Sequence, residues 1–155
     1  MRKSRLAALL LVPAFALATA SPAGAEGAAP RISLFARLSG QNEIDRTTGA
    51  RGAGDPDGKG SAHIRVYERR ICWNYSAERI GTPVAAHIHL GAESSNGAVV
   101  LALSASPGCA DVSNDLATAI KAAPSRFYAN VHSAAFPGGA IRGQLRRLPD
   151  RVVRS

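Results

Sequence analysis

The sequence lacks most of the motifs by which catalytic sites are recognised. It has no Gly-x-Ser-x-Gly segment to present a nucleophile beside a base, and no Cys-x-x-Cys pair. The glycines between 49 and 60 precede a candidate strand rather than a helix, so they do not form a phosphate-binding loop. Acidic residues number only 11, and none falls in the aromatic-lined pattern of glycosidase carboxylates. These absences favour a non-catalytic protein over an enzyme.

Long hydrophobic runs are also missing, apart from one at the N-terminus. An apolar segment at 6–18 follows Arg2, Lys3 and Arg5, and it is followed by small residues at 23–25. This pattern predicts a signal peptide over residues 1–25, cleaved before Glu26, and therefore a secreted or extracytoplasmic protein. An uncleaved anchor is the alternative, but the run is shorter than the roughly 20 residues that a membrane span needs. We expect no transmembrane segment in the mature protein.

Aromatic residues make up only 5% of the chain, while the formal net charge is +8. Nucleic acid is not an expected partner, because the basic residues are not interleaved with aromatics. A basic C-terminal tail, 148–155, contains Arg151 and Arg154. It is either a solvated chain end or a segment attracted to an anionic cell surface.

The two cysteines, Cys72 and Cys109, form an even count. In an exported chain such a count favours one disulfide, which here would close a long loop. Two free thiols, or a cysteine that ligates a metal, are the alternatives.

Short segments with alternating apolar residues predict strands, separated by Gly, Pro, Asn and Asp. A single segment, 114–123, has helical spacing, with Ser113 or Asn114 as its cap and Pro124 as its end. Seven strands and one short helix predict an all-β fold, an antiparallel, Greek-key-like sandwich or barrel. The seven candidate strands are 32–40, 62–68, 71–78, 84–91, 97–104, 126–133 and 140–147.

The histidines are few but closely placed. His87 and His89 alternate on one candidate strand and therefore face the same way. His132 lies on a second strand and His63 on a third, so imidazoles from neighbouring strands can converge. Three converging imidazoles would suit copper or zinc, with His63 as a candidate fourth ligand. A structural hydrogen-bond network and an organic-ligand site are the alternatives.

Arg142 lies on the last candidate strand, followed by Gly143, which permits close approach of another backbone. Its guanidinium is expected to brace a carboxylate or backbone carbonyls, with anion binding as the alternative.

Two long blocks, 85–103 and 126–145, resemble the signature blocks of the CHRD domain, a module first described in chordin and widespread in exported bacterial proteins. The opening segments 34–44, with its Gly-x-x-Glu turn, and 54–66 are also similar to that family. The resemblance covers about residues 32–147, so we assign a CHRD domain to 26–147, and it implies an antiparallel β-sandwich. The two cysteines resemble a pair seen in many bacterial members. The matching residues are Ala86, His87, Ile88, His89, Gly91, Asn96, Gly97, Val99, Tyr128, Asn130, Val131, His132, Pro137, Gly138, Gly139, Ile141, Arg142, Gly143, Gln144 and Leu145.

The chain departs from the family pattern at Ala98, Ser133 and Ala140. Ala140 stands where the family favours glutamate, and its presence removes a carboxylate partner near Arg142. The order of strands and histidines along the chain is also similar to that of copper/zinc superoxide dismutase, in which a His-x-His strand and a later histidine hold copper. The resemblance implies an exported binding or structural module with an unknown extracellular ligand, or alternatively a copper- or zinc-binding protein.

Overall fold

The computed structural model describes residues 32–148 and forms one curled, antiparallel β-sheet with a single short α-helix. The predicted leader, 1–25, and all of the predicted tail except Leu148 lie outside the described residues. Within the described part, no helix is both long and apolar enough to cross a membrane. The nine strands are β1 (Ile32–Ser39), β2 (Lys59–Val66), β3 (Arg70–Glu78), β4 (Pro83–Leu90), β5 (Ala98–Ala102), β6 (Gly108–Asp111), β7 (Phe127–Ser133), β8 (Ile141–Gln144) and β9 (Arg146–Arg147).

The predicted all-β class is confirmed, and the sheet has the form of a half-barrel. Its strand order is β5-β4-β7-β8-β1-β2-β3-β6, with β9 paired to β1. Alternate residues point into the curl, so Leu34 and Ile64 of β1 and β2 share one buried core with Ile88 and Val131 of β4 and β7, although β8 lies between the two pairs of strands. The curl lets a single sheet act as two packed layers.

The helix α1 (Asn114–Ala122) begins and ends close to its predicted limits. The Ser113 hydroxyl accepts a hydrogen bond from the backbone N–H of Leu116, which caps the first turn. Ala117 and Ile120 are fully buried and pack into the core, so the helix closes one side of the curled sheet.

Two elements differ from the predicted strands. β6 was not predicted, because its four residues, "GCAD", lack the length and alternation by which a strand is recognised. The last predicted strand is interrupted at Leu145, which separates β8 from β9. β8 pairs with β7 and β1, while β9 pairs with β1 alone.

The structure joins Cys72 on β3 to Cys109 on β6, as the residue count predicted. The two residues are direct cross-strand partners, and their Cα atoms lie 4.0 Å apart. The bond therefore ties the short edge strand β6 to the sheet.

Replacing both cysteines by serine, Cys72→Ser with Cys109→Ser, is expected to lower the free energy of unfolding by about 3 kcal/mol. The bond closes a loop with a sequence separation of 37 residues, and its loss frees the unfolded chain. Urea unfolding of the variant and of the oxidised protein measures the difference. Reduction of the native protein should give the same loss, and equal unfolding midpoints would contradict the prediction.

Candidate metal centre

Three neighbouring strands carry a row of polar side chains on one face of the sheet. On β4 and β7, His87 is paired with Asn130 and His89 with Tyr128. On β8, Arg142 is paired with Asn130. The intervening residues, such as Ile88 and Val131, face the core. The two-residue repeat of the strands thus separates a polar face from an apolar one.

His87, His89 and His132 converge on this polar face. One ring nitrogen from each residue lies within 4.8 Å of the corresponding atoms of the other two. The ring centroids of His87 and His132 are 5.0 Å apart, and those of His87 and His89 are 5.6 Å apart. His89 and His132 are buried, while His87 is half-buried. The structure therefore brings together the three histidines that the sequence analysis singled out.

His63 does not join them. It lies exposed on β2, four positions away from β4 in the strand order, with its ring 5.0 Å from that of Phe35. His63 is therefore too far from the cluster to be the fourth ligand that its strand position suggested.

In two of the three rings, a hydrogen bond to a backbone carbonyl determines which nitrogen carries the proton. His89 Nδ1 lies 2.9 Å from the carbonyl oxygen of Gly97, and His132 Nδ1 lies 3.0 Å from that of Pro137. A carbonyl only accepts, so both Nδ1 atoms donate, and in the neutral rings both Nε2 atoms carry the lone pair. His132 Nε2 lies 3.1 Å from His87 Nδ1, but His89 Nε2 is buried and has no hydrogen-bond partner among the described residues.

The surroundings of all three imidazoles favour their neutral form. Burial lowers the pKa of His89 and of His132 below the usual 6.5. The pKa of His87 is also lowered, first by burial and then by the neighbouring His132. The positive charge of Arg142 also lowers the pKa of His89, and that of Arg46 lowers the pKa of His132. At neutral pH, protons therefore compete weakly for the ring nitrogens.

Stacking against Tyr128 positions the His89 ring. Its imidazole stacks on the Tyr128 ring with a centroid distance of 4.7 Å and an interplanar angle of 4°. The guanidinium of Arg142 lies over the same tyrosine, 3.5 Å from the ring centroid. The backbone N–H of Gly97 donates to the Tyr128 hydroxyl, and its carbonyl accepts from His89. Gly97 has no room for a side chain, since a Cβ there would overlap the Leu90 carbonyl oxygen.

Arg142 is 1% exposed and binds the turn that leads to Gly97. It donates hydrogen bonds to the carbonyl oxygens of Ala92 and Ser95, at 2.7 and 2.8 Å, and to the Asn96 side-chain oxygen at 3.2 Å. The guanidinium therefore braces backbone carbonyls, the role that its strand position favoured.

Glu43 supplies a carboxyl group from a distant part of the chain. It is 4% exposed, follows the short 3₁₀ turn Gly40–Asn42, and accepts a hydrogen bond from Asn130. Burial raises its pKa from 4.5 to about 7, although Arg142 and Asn130 act in the opposite direction. It provides the carboxyl near Arg142 that Ala140 cannot.

Tyr128, Asn130 and Glu43 were not predicted to be parts of the site. Tyr128, Asn130 and His132 alternate along β7, so the same two-residue spacing that paired His87 with His89 would have placed them on one face. For Glu43 the Gly-x-x-Glu turn was a mark of family resemblance and carried no information on its position.

The family model of the CHRD domain matches residues 34–145, which is most of the chain. No curated protein and no solved structure matches the chain significantly. The likeness to superoxide dismutase thus remains a sequence-based expectation. Membership of the family supports a non-enzymatic module, and the disulfide fits the extracellular setting typical of such domains. The chain belongs to the CHRD domain family.

Proposed function

We propose that this protein is an exported, non-catalytic CHRD module that binds one copper or zinc ion through His87, His89 and His132. Storage, delivery and redox chemistry of the ion are all compatible with such a centre. The observation that carries the proposal is the buried Nε2 of His89, which has no hydrogen-bond partner within the described chain. A buried polar atom without a partner is costly, by about 1–3 kcal/mol, and a bound ion would satisfy it.

The residues present fit such an ion. Three neutral imidazoles are a common ligand set for zinc and copper, and the carbonyls of Gly97 and Pro137 orient two of them in the manner of outer-sphere partners. To bind the ion through Nδ1, His87 would carry its proton on Nε2 instead, which is a change of tautomer and leaves the ring neutral. The positive charges of Arg46 and Arg142 repel the ion, and the negative charge of ionised Glu43 offsets this repulsion in part.

A second candidate function has its own support. The contact of 3.1 Å between His87 Nδ1 and His132 Nε2 is a good hydrogen bond without any metal. In that case the histidines brace β4 against β7, and the module binds its extracellular ligand elsewhere. A basic tail, 148–155, that attracts an anionic cell surface would be compatible with either function.

Metal analysis of the tag-free protein distinguishes the two functions. We expect one copper or zinc ion per chain, and His89→Ala should weaken Cu²⁺ binding by at least about 100-fold, because the loss of a residue that only orients a ligand already costs roughly 10–100-fold. Equilibrium dialysis against Cu²⁺, followed by measurement of bound metal, gives both results. The matched control is His63→Ala, which removes an exposed histidine and should leave binding unchanged.

The metal proposal fails if the protein retains no ion, or if His89→Ala binds copper as tightly as the native protein. A loss of folding stability in metal-free His132→Ala, which removes the hydrogen bond to His87, would then favour the bracing function.

A further inference from the structure

A cavity of about 420 Å³ opens beside the histidine cluster. His89 belongs to both, so an ion on its Nε2 would be reached from this cavity. The other polar side chains that line the cavity are Glu43, Arg46, Asn96, Tyr128 and Asn130.

Two buried polar atoms of the cavity residues lack a hydrogen-bond partner. One is His89 Nε2, and the other is the side-chain oxygen of Asn130. Asn130 is 2% exposed, and its side-chain nitrogen already donates to Glu43. The Asn130 oxygen therefore needs a donor, and the chain itself offers none in the described residues.

The charge of the cavity favours an anion. Arg46 lines the cavity, and its positive charge lowers the pKa of both Glu43 and His132. The guanidinium of Arg142, which lies over the Tyr128 ring, lowers the pKa of Glu43 and of His89 through its positive charge. The carboxyl of Glu43 is half protonated near neutral pH, because burial raises its pKa to about 7. A divalent ion on the neutral histidines would add to these positive charges.

We infer that this cavity receives a small α-hydroxycarboxylate when the centre holds its ion, an inference that depends on the proposed metal binding. The carboxylate of the ligand faces Arg46 and the ion, and its hydroxyl donates to the Asn130 oxygen. A simple carboxylate satisfies the positive charge but leaves the Asn130 oxygen without a donor. The hydroxyl group therefore determines the selectivity.

Glycolate and acetate are the matched probes, because they differ chiefly by that hydroxyl. Each is titrated into the Cu²⁺-loaded, full-length protein, and the electron paramagnetic resonance spectrum reports ligand binding at copper. We expect glycolate to bind roughly tenfold more tightly than acetate, the range for supplying a partner to a buried acceptor. Copper content after dialysis shows that neither probe has removed the ion.

Two variants separate the contacts. Asn130→Ala should bring glycolate to the affinity of acetate, with little change for acetate itself. Arg46→Ala should weaken both probes by about two- to fivefold, as expected for an exposed charge. Arg65→Ala, which removes an exposed arginine that lines a different cavity, should change neither. Because Cu²⁺ can itself bind the glycolate hydroxyl, the test needs a variant without the Asn130 oxygen. If Asn130→Ala does not fold, Asn130→Leu, which fills a similar volume without that oxygen, takes its place.

Equal affinities for glycolate and acetate on copper-loaded protein would overturn the inference and leave the metal site intact. A glycolate preference that survives in Asn130→Ala would also overturn it. A protein that holds no copper would refute both proposals.

Discussion

Arg142→Met is expected to lower the free energy of unfolding by about 4 kcal/mol, although methionine keeps most of the buried aliphatic packing. The native guanidinium makes three hydrogen bonds to the turn at 92–96 and a cation–π contact with Tyr128. Hydrogen bonds from a charged group are worth about 1.5–3 kcal/mol each, and a desolvated cation–π pair about 2. The sum is reduced because the variant no longer buries a charge and the freed carbonyls regain water.

The same substitution should also disturb the metal centre. The turn held by Arg142 leads directly into Gly97, whose carbonyl orients His89. Loss of the turn therefore removes the hydrogen bond that orients the His89 ring. Loss of a group that orients a metal ligand typically lowers metal affinity by about 10–100-fold. Urea unfolding measures the first effect and Cu²⁺ dialysis the second.

Two further variants make the Arg142 prediction specific. Arg142→Lys keeps the charge but loses the planar fork that reaches three acceptors, so it should restore less than half of the lost stability. Arg37→Met removes an exposed arginine on β1 and should alter the free energy of unfolding by less than about 0.5 kcal/mol. If Arg142→Met unfolds at the same urea concentration as Arg37→Met, the buried guanidinium is not a support of the fold.

Local periodicity accounts for what could be predicted of the site. The two-residue repeat of a strand places His87 and His89 on one face whatever the rest of the chain does. The same rule applies to Tyr128, Asn130 and His132 on β7. Most strands and the helix were found in this way, since their alternation or their 3.6-residue spacing is a property of the segment itself.

Long-range pairing accounts for what could not be predicted. The pairing of β4 with β7 is a property of the strand order of the whole sheet, and the periodicity of each strand contains no information on it. Glu43 reaches Asn130 over a sequence separation of 87 residues, in a loop whose composition indicated only turns. The replacement of a family glutamate by Ala140 suggested a site without a carboxylate, whereas the fold brings a carboxylate from another strand end.

Glu43→Gln is expected to remove a pH dependence from the stability of the protein. In the folded chain, burial raises the pKa of this carboxyl to about 7, compared with 4.5 when it is exposed. The folded state therefore holds the proton more tightly than the unfolded state does between these values. The stability that the group contributes is full below pH 4.5 and is lost as the pH rises through about 7, by on the order of 3 to 4 kcal/mol.

The difference between native and variant proteins isolates this effect, because the histidines and other acids titrate alike in both. Glutamine keeps an oxygen that accepts from Asn130 but carries no charge. We therefore expect equal free energies of unfolding near pH 4 and a more stable Glu43→Gln protein at pH 8, measured by urea unfolding across that range. Glu78→Gln, an exposed control paired with Lys59, should shift stability by less than about 1 kcal/mol at any pH. A constant difference between native protein and Glu43→Gln from pH 4 to 8 would mean that folding does not raise the pKa of Glu43, and the buried carboxylate would then be an ion-pair partner of Arg142 at neutral pH rather than a proton-binding group.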